Sequence, residues 1–377
     1  MTGERYPGGD ASSWREEVLR RAEGAGDAAR TTLLEARTPH RPRVALRSDL
    51  VDHDLVTSYV RPWVEAVAAA DGGEAAWEVR LATLRADAWP GPDGPAPVPD
   101  GRTDAYPAID SVVRAFRLGD ADVLFQWSEG RPYQALRVRR RRVAVLAPDD
   151  RETSHFVAIR ILRILLVLEE LRAGAVHVHA SAVVRDGGAY LFVADKFGGK
   201  TTTMLGFLRD YGCGFLSNDQ VLISPADGAV SGIPLAIGVR PNTLRLFPEL
   251  LRHAEAGELG HPLREREDKL IFSPGDLAAA LGAPRVPHAE LRAIVYLELD
   301  LHRRSLRVTP LGHDRAETVL RSMLLPEIHK KQPFWDAMLD RREDELREAV
   351  ARIVRRTPVF EAHYNHKVLA DLAAALF

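Results

Sequence analysis

The chain is poor in cysteine and in lysine, and it contains no long uninterrupted apolar run. Among 377 residues there is a single cysteine, Cys213. One thiol excludes an internal disulfide and a multi-cysteine zinc site, and it fits a reducing cytosol. The most apolar stretch, FVAIRILRILLVLEEL, is cut by Arg160 and Arg163. It is too short and too charged to span a bilayer, so it reads as a buried amphipathic helix. The opening residues, MTGERYPGGDASSW, lack the apolar core of a signal peptide, and a cytoplasmic location is expected. An excess of either charge is missing as well: 51 Lys+Arg meet 53 Asp+Glu, a net charge of −2. That balance gives no general pull toward nucleic acid or an anionic membrane, and neither is expected as a partner. Lysine supplies only six of the 51 basic residues: Lys196, Lys200, Lys269, Lys330, Lys331 and Lys367. A composition rich in Ala, Arg, Gly and Pro replaces Lys by Arg wherever chemistry permits. A retained Lys therefore carries more weight than usual, and two of the six stand in one short loop.

What is present is ordinary for a globular protein: 46% hydrophobic and 28% charged residues, at a length that suits two compact domains. Residues 14–37 carry a helical pattern. Residues 77–84 alternate like a strand, and 89–101 pack five prolines and three glycines into a loop or hinge. Residues 123–128 and 135–148 read as strands. The run Arg139–Arg142 then alternates between two faces, so a solvated or ion-paired edge is expected in place of a basic stripe. The span 1–150 thus reads as a smaller N-terminal α/β domain. Residues 151–173 form a strong helix ended by Gly174. Beyond it come a strand (175–184), a hairpin turn at 185–188, a buried strand (189–194), a glycine-rich loop, a helix (200–210) and a strand (214–219). Residues 221–239 read as strand, turn, strand, a helix follows from Pro241 to Glu255, and 291–300 is a strand. From Asp314 onward the pattern is helical. These patterns divide the chain into 1–150, 151–312 and a C-terminal helical segment, 313–377.

The loop VADKFGGKTTT, residues 193–203, carries the chemistry. It fits the Walker A pattern with Ala194 in place of the first glycine, then Asp195, Lys196, Phe197 and Gly198, then Gly199-Lys200-Thr201. A buried strand delivers the chain. Small residues let backbone amides curl around phosphate oxygens, and the following helix aims its positive end at them. Lys200 is placed to bridge the β- and γ-phosphates, and Thr201 to offer its hydroxyl to Mg²⁺. Ala194 through Thr202 form the candidate nucleotide cradle, with Arg240 and Lys269 as further phosphate candidates. The ligand-free alternative is a plain turn between strand and helix. For Lys269 the alternative is a solvated charge. His177 and His179 share a strand face but lack a further ligand for zinc. Cys213, between two glycines, reads as a packed residue, and His329, Lys330 and Lys331 as a solvated helix end.

The order of His-containing strand, hairpin, strand, loop, helix and acid-ended strand is written in HVHASAVVRDGGAYLFVADKFGGKTTT and, seventeen residues after Lys200, in SND. This resembles the HPr kinase/phosphorylase family and its relatives, whose core has the fold also found in phosphoenolpyruvate carboxykinase. The resemblance covers residues 175–240 and extends toward 310. It implies an α/β protein with a P-loop kinase core, a smaller N-terminal α/β domain and C-terminal helices. It also implies ATP and Mg²⁺, and transfer of the γ-phosphoryl group to a hydroxyl of a peptide, protein or small molecule. His179 falls on the family's strand histidine. Lys200 and Thr201 fall on the loop positions, and Asn218-Asp219 on a pair that is usually Asp-Asp. Asp219 is then the metal ligand alongside Thr201. His179 or Asp219 orients or deprotonates the acceptor, because Asn218 cannot take a proton. The family's Glu-Arg-Gly run is missing; SGIPLAIGVRP stands there, with Arg240 as its nearby charge. The alternatives are a nucleotide-binding switch or slow ATPase without an organic acceptor, and a relic loop that binds inorganic phosphate. Homo-oligomerisation stays open.

Overall fold

A computed structural model describes residues 16, 18–21, 30–68, 75–84, 89, 103–106, 111–118, 121–128, 131–148, 151–257, 265–266, 268–325, 335, 338–339 and 342–377. Apart from Trp89, the proline-rich stretch at 89–101 lies outside them, as do His329, Lys330 and Lys331.

Nine strands make the first sheet: β1 (Thr31–Ala36), β2 (Arg43–Arg47), β3 (Val64–Val67), β4 (Trp77–Thr83), β5 (Thr103–Tyr106), β6 (Ser111–Leu118), β7 (Ala121–Ser128), β8 (Arg131–Arg139) and β9 (Arg142–Ala147). Their order is β3-β1-β2-β4-β9-β8-β7-β6-β5, with parallel pairing of β2 to β4 and β4 to β9. Helix α1 (His53–Val60) lies between β2 and β3, opened by Asp52, whose side chain accepts from the amides of Asp54 and Leu55. Val44, Leu46, Val79, Leu81, Val143 and Val145 project from one face and are buried. They share a core with the long helix α2 (Arg151–Arg172), through Ile161, Leu165 and Leu168.

The second sheet holds β10 (Val176–Val178), β11 (Ser181–Arg185), β12 (Gly188–Val193), β13 (Gly214–Ser217), β14 (Val221–Ile223) and β15 (Ala229–Gly232). A small third sheet pairs β16 (Ile237–Val239), β17 (Glu265–Arg266) and β18 (Lys269–Phe272). Then β19 (His288–Leu299), β20 (Arg307–Pro310) and β21 (Val359–Tyr364) return to the second sheet. Its order is β10-β14-β15-β19-β12-β11-β13, with β21 parallel to β19 and β20 antiparallel to β21. Helix α3 (Lys200–Asp210) follows β12. Further helices are α4 (Pro241–Leu244), α5 (Pro248–Glu255), α6 (Pro274–Ala280), α7 (His313–Ser322), α8 (Glu343–Arg356) and α9 (Leu369–Leu376). Val176, Leu191 and Ile294 of the second sheet share a core with Leu320 of α7 and Val350 and Ile353 of α8. Phe192 on β12 joins α3 through Phe207 in a core that continues without a break to Leu34 and Val44 of the first sheet. The protein is a mixed α/β fold built on mixed sheets. No helix among the described residues is long and apolar enough to cross a membrane.

Several expectations need correction. Residues 31–36 are a strand, where the sequence pattern implied helix; Leu34 and Ala36 turn into the core beside Val44. The strand expected over 135–148 is a hairpin that turns at Arg140 and Arg141, with Arg140 at φ 54. The strand expected over 175–184 breaks between β10 and β11, leaving His179 and Ala180 unpaired in the ladder. Pro248 divides the helix expected from Pro241 to Glu255, because the residue before proline avoids helical geometry, and Phe247 sits at φ −132, ψ 72. The C-terminal segment is not all helix: VFEAHY alternates and becomes β21, paired on both sides.

Candidate functional site

β12 carries GAYLFV, with Leu191, Phe192 and Val193 fully buried, into the loop at 194–199. Two residues there take the left-handed backbone region, Phe197 at φ 70 and Gly199 at φ 86. The Gly198 amide closes the turn by donating to the Asp195 carbonyl at 3.0 Å. The turn is tight enough to demand its glycines. A Cβ at Gly198 would lie 2.6 Å from Ala194 Cβ, and one at Gly199 would lie 2.2 Å from the Tyr364 hydroxyl. Gly199 is the N-cap of α3, which has no side-chain cap and no acidic residue in its first turn. Its leading amides and positive dipole end are therefore left for an anion.

Lys200 opens the helix yet is only 8% exposed. Its Nζ donates to the Ala194 carbonyl at 2.6 Å and lies 3.5 Å from that of Asp195. Burial holds its pKa below the ordinary lysine value, against the pull of the Asp219 and Asp195 carboxylates. Next to it the Thr201 hydroxyl donates to Asn218 Oδ1 at 3.2 Å, and Ser181 Oγ donates to the same oxygen at 3.0 Å. Asn218 is buried, 2% exposed, at the end of β13. Asp219 follows at φ 68, and its backbone carbonyl accepts from His179 Nδ1 at 2.9 Å. A carbonyl only accepts, so that nitrogen carries the proton and Nε2 is the basic one in the neutral ring.

Two hydrogen-bonded sets therefore stand side by side, Thr201 and Ser181 on Asn218 and His179 on the Asp219 carbonyl, with the Lys200 ammonium close enough to feel the Asp219 charge. The fold thus brings the three sequence-derived catalytic candidates, Lys200, Asp219 and His179, into one neighbourhood. Arg240, the N-cap of α4, reaches the loop indirectly. Its guanidinium lies 5.3 Å from the Phe197 ring centroid and pairs with Asp268 at 2.9 Å. Lys196 approaches the same ring at 5.2 Å, and the ring is 68% exposed. Thr202 Oγ1 meets Thr243 Oγ1 at 3.2 Å. Lys269 lays its stem against Gly238, and its ammonium makes no hydrogen bond or ion pair among the described residues. His177 is 3% exposed, and burial drives its pKa down to about 4. Cys213 is buried and its thiol pKa is pushed up to about 11, which makes it unreactive packing.

Three supporting residues escaped the sequence reading. Tyr364, on β21, shares a 2.7 Å hydrogen bond with Thr203 Oγ1 and donates to the Gly198 carbonyl at 3.4 Å. Burial pushes its hydroxyl pKa up to about 12. Tyr296, on β19, donates to Asp195 Oδ2 at 3.3 Å. Ser181 sits in the quoted His-Ala-Ser run, so its position was visible although its role was not.

No protein-family model matches this chain, and no curated protein matches it. Among the described residues no three His, Cys, Asp or Glu side chains are arranged to hold a metal ion. A Mg²⁺ ion in a phosphate site needs one or two protein oxygens, and the Thr201 hydroxyl and Asp219 carboxylate supply that donor chemistry.

Proposed function

We propose that the loop at 194–199 and the first turn of α3 bind the phosphates of a nucleoside triphosphate, ATP, and that the chain transfers the γ-phosphoryl group to a hydroxyl of a peptide, protein or small molecule. The observation that carries this reading is Lys200. A desolvated ammonium held against the loop carbonyls, beside an uncapped helix N-terminus, feels the Asp219 and Asp195 charges but is in ion-pair contact with no carboxylate among the described residues. Phosphate oxygens supply that contact. The reading also draws on the resemblance to HPr kinase-like phosphotransferases in His179, the loop and the strand-end pair.

In this reading Lys200 and the loop amides hold the β- and γ-phosphates. Thr201 and Asp219 hold Mg²⁺, which neutralises phosphate charge when bound. Ser181 and Thr201 both donate to Asn218, and this fixes the Thr201 hydroxyl in place. The acceptor oxygen bonds to the γ-phosphorus as the bond to the β–γ bridging oxygen breaks, and the acceptor proton passes to His179 Nε2. A loose transition state asks little of the base, so orientation counts for more than basicity.

Asn218 favours a second reading, a nucleotide switch or slow ATPase, because an amide in this place neither takes a proton nor brings charge to the metal. Calorimetry with Mg-ATP decides the first step. Lys200→Ala is expected to weaken triphosphate binding by about tenfold or more while leaving nucleoside binding unchanged. Equal affinity in wild type and variant overturns the reading. Labelled ATP with a panel of hydroxyl acceptors decides the second: label in a new product supports transfer, and label in free phosphate alone supports the switch.

A further inference from the structure

The first sheet has an apolar face under α2, and its opposite face carries a second apolar cluster around Phe125, Trp127 and Leu146 at one end and arginines at the other. Register fixes which residues share that second face. Ala45 on β2 pairs with Glu78 on β4, Glu78 with Arg142 on β9, and Arg142 with Arg139 on β8. Two residues along, Arg47 pairs with Arg80, Arg80 with Ala144, and Ala144 with Arg137. Residues two apart on a strand point the same way, so both rows rise from one face. Ion pairs agree: the Glu78 carboxylate meets Nε of Arg47 at 3.0 Å, of Arg80 at 3.0 Å and of Arg142 at 3.1 Å. The basic stripe that cannot form along one strand forms across several.

The hairpin turn extends it with Arg140 and Arg141. Together these residues line a groove of about 830 Å³, walled by Arg47, Glu78, Arg139, Arg140, Arg141 and Arg142 over a floor of small alanines. Five guanidinium groups line it beside one carboxylate, Glu78, which already serves two of them and Arg80, while Arg141 also reaches Glu169 at 3.4 Å outside the groove. In a chain of net charge −2, this is a local concentration of positive charge.

We propose that the groove binds an acidic peptide segment in extended form. Guanidinium forks match carboxylates two bonds at a time, and Glu78 shows the protein already gripping a carboxylate with these arginines. Neighbouring strands are ~4.8 Å apart and residues two along a strand ~6.8 Å apart. The second spacing is that between every other side chain of an extended peptide. The volume suits an organic ligand and exceeds what one inorganic anion fills. Among the described residues no aromatic side chain lines the groove, so those residues offer unpaired nucleobases no stacking platform. A concave wall also fits a peptide better than a membrane plane. The inference is independent of nucleotide binding at Lys200.

The test is fluorescence anisotropy of the full chain with a labelled peptide of alternating glutamate and serine. A single-stranded oligonucleotide of equal charge serves as the competing probe. Wild type is expected to bind the peptide, more tightly than the oligonucleotide, with affinity falling as salt rises. Arg140→Gln/Arg142→Gln is expected to weaken peptide binding by about tenfold or more. Arg347→Gln, an exposed arginine on α8, is expected to leave it unchanged. Both altered arginines of the groove are exposed, and an unchanged melting temperature checks that the fold survives. Peptide binding that is undetectable, equal in wild type and the double variant, or weaker than oligonucleotide binding overturns the proposal.

Discussion

His177 is neutral inside the protein and cationic in an unfolded chain at mildly acidic pH. Neither ring nitrogen makes a well-formed hydrogen bond, although Gln220 approaches the ring and partly opposes the shift. Burial takes the pKa from 6.5 to about 4. Between those values the unfolded state binds the extra proton, so stability falls as pH falls through that window, by up to ~3 kcal/mol. Urea midpoints at pH 7 and pH 5 are expected to differ in wild type by more than in His177→Leu; equal differences would discount the buried imidazole. Two neighbours divide the work of the proposed transfer. Asp219→Asn is expected to damage metal-dependent nucleotide binding and turnover together. His179→Ala is expected to keep nucleotide affinity and lower turnover by roughly 10²-fold or more. Calorimetry beside steady-state rates reads both, and the reverse pattern refutes the assignment. That Lys200 and Thr201 stand together at the start of a helix after a glycine turn was legible in the sequence, because a strand–loop–helix turn is local and offsets within it set position. Asn218 as the acceptor for Thr201 was not, since that bond crosses from α3 to the end of β13.

A strand from the far end of the chain shapes the loop. Tyr364 reaches from β21 to Thr203 and Gly198, and its hydroxyl occupies the space that a side chain at Gly199 would need. Gly199→Ala therefore meets a steric barrier and a left-handed backbone that costs about 1 kcal/mol without glycine. Tyr364→Phe removes the hydroxyl; the next atom, Cζ, would stand 3.4 Å from the new Cβ. The double variant is expected to regain part of the triphosphate affinity that Gly199→Ala loses, a non-additivity that a double-mutant cycle measures. Strict additivity would mean the two residues do not share that space. The hairpin at 185–188 was readable beforehand, because Asp186 and Gly187 both take positive φ in a two-residue turn. β21 was not: six alternating residues between two helices carry a weak signal, and their partners lie far away in sequence.

At the scale of the whole molecule the two large sheets share a core. Leu34, Val44 and Val79 pack in the same cluster as Ile161, Phe192 and Phe207. Trp63 Nε1 donates to the Leu216 carbonyl at 2.8 Å, and Arg285 donates to that of Arg61 at 2.7 Å. The sequence divided the chain at 150 from composition and motif alone; patterns within strands do not reveal that α2 is covered by strands on both sides of that point. A fragment of residues 151–377 is expected to expose the apolar stripe of α2 and to associate or precipitate. Sedimentation of the fragment checks this, and a monodisperse, folded fragment would contradict it. The support given by Tyr364 also has a meaning in time. A ribosome makes the loop long before it makes β21, and at ordinary synthesis rates the delay is on the order of ten seconds. During that interval Lys200 and its glycines exist but lack the strand that shapes them, so the site can take its final form only once residues 359–364 have been made.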